Sequence, residues 1–465
     1  MRRQPSWNTR CRFGIAVRDV TPPIGVYARS WGAAMHDLAD GVHRPCTATV
    51  AIFAPLDGDA LTLVLVALDL GWFANPADET ALRAALRERG GVGEDALLLS
   101  LSHAHSTANA ASHLADRPGG AIAAAYRESL PERIGNAIAA ARADLAPAWI
   151  TWGYGRCALA QNRDYWDEQA DRYVCGYNPT PPTPPDDTLL VGRATADDGT
   201  VRATLFNYGC HPTTLAWDNQ LLSPDYPGAA REILERAFHA PAVFLHGADG
   251  ELGPKEGFVG DPTVADRNGR ILGYAAASAI EALPPPGMTY AYQGIVPSGA
   301  DIGVWRYETA TADERAGDML LGNAAMIGDV PLREYLPAAT LRERMETTTD
   351  RPTWEKTQRQ LMIREAIGEA NVQHLTLWCW RLGDALLLAV PDEPYNVLQR
   401  QVRAAFPDRP VLILTVTNGT LGYLCPADTY GSGRYQVVQS PYQPGCLETV
   451  TAMAISGLHG IIAKT

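Results

Sequence analysis

The sequence predicts an α/β fold, a mixed central sheet with flanking helices, from three observations. Short apolar runs of strand length alternate with Ala-rich stretches carrying charges at helical spacing. One run, Leu61 to Leu68, is almost continuously apolar, as a strand buried on both faces should be. Finally, 465 residues with 46% apolar and 20% charged side chains give ample material for a core and lie far from disordered composition.

Taken in chain order, Arg12 to Val17 reads as a strand before the turn Asp19-Val-Thr-Pro-Pro-Ile-Gly25. Thr47 to Ala54 and Leu61 to Leu68 follow as strands, separated by Asp57-Gly58. Thr80 to Arg89 and Ala121 to Arg142 read as helices, with the strand Ala96 to Ser102 between them. From Cys157 to Asp187 the pattern becomes a long polar and aromatic surface loop containing the proline run 179–185. Strands resume over Thr188 to Gly209. A charge-rich stretch, Ala310 to Gln373, reads as a helical insertion over the sheet, between strand-like Tyr290 to Ile295 and Leu375 to Arg381. No composition shift divides the chain, so residues 1–465 are expected to form one domain.

Charge and motifs exclude several functions. Thirty-nine basic against fifty-two acidic residues leave a net charge of -13, which repels nucleic acid and anionic membranes. Only Lys255, Lys356 and Lys464 are available for Schiff-base chemistry. The eight cysteines are dispersed without a C-x-x-C pair, so they are expected to be free core thiols. G-x-S-x-G, a strand-linked G-x-G-x-x-G and the P-loop pattern are all absent. No secretory signal or transmembrane helix is expected, which makes the expected location cytoplasmic. The oligomeric state is not legible.

Chemistry concentrates at the ends of apolar strands, where α/β sheets bind ligands. Ser102-His103-Ala-His105 follows one strand; in an extended H-x-H both imidazoles leave the same face. They suit two metal ligands, one ligand and a neighbouring proton acceptor, or a pair of hydrogen-bonded structural histidines. Cys210-His211-Pro repeats the arrangement, Val390-Pro-Asp-Glu393 delivers a carboxylate, and Asn418 to Tyr423 delivers a phenol. Acids after Phe244-Leu-His246, including Asp249 and Glu251, either orient such histidines or belong to ordinary turns. Four independent strand ends carrying His, His, Glu and Tyr form the signal.

These segments resemble the neutral/alkaline non-lysosomal ceramidase family, zinc-dependent amidases that cleave the acyl amide of ceramide. The resemblance rests on Gly14 to Pro23, Ser102 to Ser106, Asn162-Arg163, Gly176-Tyr-Asn178-Pro179 and Cys210-His211-Pro-Thr. It continues through Ser223-Pro-Asp225, Leu252-Gly253-Pro254, Val390 to Glu393, and Asn418 to Tyr423 with Tyr435. It implies a ceramidase-like catalytic domain binding Zn2+ through His103, His211, Glu393 and Tyr423. His105 would take a proton from water, and Arg163 and Tyr435 would contact the substrate amide. No cofactor beyond zinc is implied. The family's serine in its G-D-x-S-P loop is replaced here by Gly253, so metal-activated water is the expected nucleophile. No counterpart of the family's C-terminal β-sandwich is expected. The expected substrate is a small-molecule amide, nominally N-acyl-sphingosine or a related N-acyl amine. The alternatives are a smaller polar amide or ester, and a catalytically silent ligand-binding protein; a long apolar channel beside the metal would favour a fatty chain, a short pocket lined with Arg and Asp a polar compound.

Overall fold

The computed structural model describes residues 2–58 and 61–464, so the chain ends Met1 and Thr465, which the one-domain expectation includes, lie outside the described residues. Eight strands form the larger sheet: β1 (Trp7–Asp19), β2 (Thr47–Ala54), β3 (Leu63–Leu68), β4 (Leu97–Leu101), β5 (Ala146–Arg156), β6 (Thr188–Ala196), β7 (Val201–Tyr208) and β8 (Ala242–His246). Their order is β8-β7-β6-β5-β1-β2-β3-β4. Four more, β9 (Leu321–Pro331), β10 (Val372–Leu382), β11 (Ala385–Ala389) and β12 (Val411–Leu414), form a second sheet in sequential order. The α/β class stands, and the strands divide between two sheets packed face to face.

That packing is what the apolar runs are for. Phe13, Phe53, Leu63 and Leu65 of the large sheet meet Trp380, Leu387 and Leu412 of the small one in a single buried cluster. The outer faces are covered by helices. Along the large sheet lie α1 (Pro76–Gly90), α2 (Gly120–Ala143), α3 (Asp225–Phe238) and α4 (Pro262–Glu281). The small sheet is backed by α6 (Arg351–Ile367), which follows the short α5 (Ala338–Thr347), and by α7 (Val397–Ala405) and α8 (Cys446–Lys464). Hence β3 is buried on both faces, one against helices and one against the second sheet.

Two expectations change. The segment 310–373 is only partly a helical insertion: Leu321–Pro331 is the edge strand β9, paired antiparallel with β10 across its whole length. A partner some fifty residues away in sequence supplies the ladder, so local composition is overridden. Tyr290 to Ile295 belongs to neither main sheet; it lies in Met288–Pro297, which pairs with Arg3–Pro5 and Asp301–Thr309. Among the described residues, one helix, α8, is by length and composition apolar enough to cross a membrane. Here Leu447, Val450, Ala454 and Leu458 bury it in the core behind the small sheet. All eight cysteines are unpaired, and all but Cys175 are buried.

Topology places the site. Most neighbours are antiparallel, but β3/β4, β7/β8 and β11/β12 are parallel pairs, joined through α1, α3 and α7 respectively. The edge strands β4 and β8 of the large sheet contact one another. The chain beyond β12 ties both: Thr415 N donates to the His246 carbonyl (3.0 Å) and Asn418 N to that of Leu99 (2.9 Å). The C-terminal ends of all three parallel pairs therefore open onto one crevice.

Candidate metal centre

The four candidate ligands and His105 lie beyond strands of these pairs. His103 and His105 follow β4, His211 follows β7, Glu393 follows β11, and Tyr423 lies on the loop after β12. The two histidines of the H-x-H do not converge by strand alternation, as the sequence reading supposed. His103 lies beyond β4 with φ 61°, in the left-handed region, where a non-glycine residue is held only by its surroundings. Its backbone N–H donates to the Leu70 carbonyl (3.0 Å). That turn, rather than an extended strand, brings the two rings to a centroid distance of 4.9 Å.

Hydrogen bonds fix the tautomers. His103 Nδ1 donates to the Gly71 carbonyl (2.8 Å) and His211 Nδ1 to that of Asp249 (3.1 Å), which turns each Nε2 into the site. These two nitrogens face each other at 3.1 Å, and Glu393 Oε2 stands 3.4 and 3.3 Å from them. Three possible ligand atoms therefore converge on one point. A tetrahedral ion with ligands at about 2.0–2.2 Å has ligand-to-ligand edges of about 3.3–3.6 Å, so the spacing fits a small metal ion. Tyr423 Oη is 3.5 Å from His211 Nε2 and completes two nitrogens and two oxygens. The ligand atoms of His103, His105 and His211 also lie within 4.8 Å of one another, so this buried histidine group could hold a metal.

The surroundings set the charges. Burial alone would raise the Glu393 carboxyl, but the two histidines hold it well below its ordinary range. Asp249, fully buried behind the site, has Oδ2 3.2 Å from His211 Nδ1 and 3.1 Å from His246 Nε2. Burial would raise it too, and the same two imidazoles bring it far down. A carboxylate behind a ligating histidine orients the ring and strengthens its basicity. His105 differs: burial and then its neighbours His103 and His211 lower it well below the usual histidine range, so it is neutral. Its ring packs between Trp31 and Trp72 at 5.2 and 5.0 Å, and neither ring nitrogen has a hydrogen-bond partner among the described residues.

Arg163 lies beneath the centre. Its Nη2 donates to the Gly250 carbonyl (2.7 Å) and to Tyr423 Oη (3.2 Å), and it stands 3.3 Å from His211 Nε2. Tyr435 reaches the same place, its ring 5.8 Å from that of Tyr423. The structure thus brings together all seven residues singled out in the sequence. Sequence reasoning missed Arg359 of α6, whose guanidinium donates to Tyr435 Oη. A charged residue in a charge-rich helix carries no signal of its own.

At Gly253, where the ceramidase resemblance expects serine, an added Cβ would meet only Arg163 Cδ at 3.7 Å and Thr213 Oγ1 at 3.8 Å, ordinary contacts. Packing does not require glycine there. Glu251 is half-buried at the edge of a second cleft; burial, with Asp164 and Asp249 near, pushes its carboxyl up to about 8. The cleft above the site is short, about 90 Å³, with Trp72, Phe73, Met362, Ile363 and Leu421 on its apolar side.

No family model and no curated protein matches the sequence. Solved structures do. A ceramidase complexed with C2 matches with a TM-score of 0.65 at 16% identity, covering 98% of this chain and 76% of that one. The neutral ceramidase from Pseudomonas aeruginosa matches with a TM-score of 0.64, also at 16% identity, covering 98% and 75%. This chain therefore shares its fold with neutral ceramidases.

Proposed function

We propose that this protein is a zinc-dependent amidohydrolase that cleaves the carboxamide bond of a compact N-acyl amine with water. The observation that carries the reading is the convergence of His103 Nε2, His211 Nε2 and Glu393 Oε2 at 3.1–3.4 Å, a spacing that matches the ligand edges of a small metal ion. Those atoms and Tyr423 Oη would hold the ion. Bound zinc supplies a Lewis acid that lowers the pKa of water to about 7 and polarises a carbonyl.

The chain's own groups perform the remaining work. Neutral His105, facing the cleft with free ring nitrogens, accepts the proton of the attacking water. Arg163 and Tyr435 donate hydrogen bonds to the oxyanion that forms at the former carbonyl oxygen. The proton held by His105 then passes to the departing amine as the C–N bond breaks, leaving a carboxylic acid and a free amine. Absence of a hydroxyl at position 253 supports water as the nucleophile.

Cleft size supports a compact substrate. At about 90 Å³ it lies well below the roughly 300–1,000 Å³ of pockets that bury a drug-sized ligand. A short acyl group fits the apolar side formed by Met362, Ile363 and Leu421, whereas a long ceramide chain would extend outside it. The test pairs elemental analysis with kinetics on N-acyl amides of graded acyl length. His103→Ala and His211→Ala should lose metal, while His105→Ala should keep it and lose rate. If His105→Ala is the variant that empties the site, the roles are reversed.

A further inference from the structure

Arg359 enters the cleft from α6, the helix that covers the site from the insertion. Its Nη1 donates to Tyr435 Oη. A guanidinium has five donors and no acceptor, so the phenol oxygen must be the acceptor in this bond. The hydrogen of Tyr435 is thereby left for another partner. Among the described residues no carbonyl or side chain takes it, although Tyr435 lines the cleft with His105, Glu393 and Tyr423.

Arg359 is itself held in place. Its Nη2 donates to the Ser30 carbonyl at 3.0 Å, and the Trp72 ring lies 5.6 Å from Cζ. The nearest carboxylate, Glu355 on the same helix, stands 3.9 Å off and is shared with Arg29 at the same distance. The cation therefore remains directed at the phenol instead of being satisfied in a tight ion pair.

We propose that Arg359 is a positioning residue that fixes the Tyr435 phenol as a hydrogen-bond donor toward the carbonyl oxygen of the bound amide. The inference rests on the amidohydrolase reading above. With a cation donating to its oxygen, the phenol is oriented to donate its own hydrogen, and its O–H is a stronger donor through polarisation along the chain of bonds. A donor held in place before the reaction stabilises the transition state without reorganisation, and loss of one such donor typically costs about 10²–10³ in kcat.

The test uses the full chain, loaded with zinc, hydrolysing short-acyl p-nitroanilides. Four variants are compared: Arg359→Gln, Arg359→Lys, Tyr435→Phe and the double variant Arg359→Gln/Tyr435→Phe. Arg359→Gln should lower kcat about 10- to 100-fold with KM within about threefold. The double variant should be no slower than Tyr435→Phe, because both changes disable one device, and Arg359→Lys should recover most of the rate. Additive losses, an effect on KM alone, or a Tyr435→Phe variant as fast as the parent would each overturn the proposal. Should the parent protein hydrolyse no amide or ester, the functional reading is what fails. The same four variants then report the contact by urea unfolding: coupling between the two positions supports the arrangement, and strict additivity overturns it.

Discussion

Glu251 offers a test of the buried electrostatics around the centre. Its half-buried carboxyl accepts the backbone N–H of Asn396 through Oε2 (2.8 Å) and is pushed by burial from the ordinary 4.5 up to about 8. Because the folded state holds this proton more tightly than the unfolded chain, the residue's contribution to stability is fully present below pH 4.5. It is lost progressively as pH rises through about 8. Over that whole span, at 1.36 kcal/mol per pH unit, the effect is ~5 kcal/mol at most. Asp225 and Asp392, both raised by burial to about 6, tilt the curve in the same direction at lower pH. Comparison of the parent with Glu251→Gln between pH 6.5 and 8 isolates the residue, since glutamine copies the protonated acid and keeps an oxygen for Asn396. Over that interval the parent should lose ~2 kcal/mol more unfolding free energy than the variant, measured by urea denaturation at each pH. Parallel curves for the two proteins would mean that Glu251 is ionised in the folded state, and the reasoning would be refuted.

Other consequences are as direct. Asp249→Asn removes the carboxylate behind His211 and should weaken zinc binding about 10- to 100-fold, read by competition with a chelating dye, while leaving the fold intact by circular dichroism. Gly253→Ser should fold and melt within a few degrees of the parent, because the built Cβ meets nothing closer than 3.7 Å; a large drop in Tm would show that glycine is required there. Leu387→Ala opens a cavity between the two sheets, where the side chain is fully buried, and should cost about 2–5 kcal/mol in denaturant unfolding.

The strand ends were legible in the sequence because each is announced locally: an apolar run, then a turn carrying His, Glu or Tyr. Local order set which residues were candidates and the class of chemistry they suit. Arg359 was not legible, since its place in the cleft depends on how α6 is laid against the loop containing Ser30, some 330 residues away along the chain. Strand β9 was missed for the same reason: its ladder comes from β10 and not from its own composition.

By itself, then, the sequence determined the α/β class, the buried strands and the side chains able to bind metal or carry a proton. Tertiary structure decided that His103 turns into the left-handed region and that β4 and β8, at opposite edges of one sheet, come together. It also decided that a short cleft lies over the result. Patterning along a chain records which face of each element is apolar. Distances of 3.1–3.4 Å between groups hundreds of residues apart are set by how two sheets curl and pack, which no local pattern encodes.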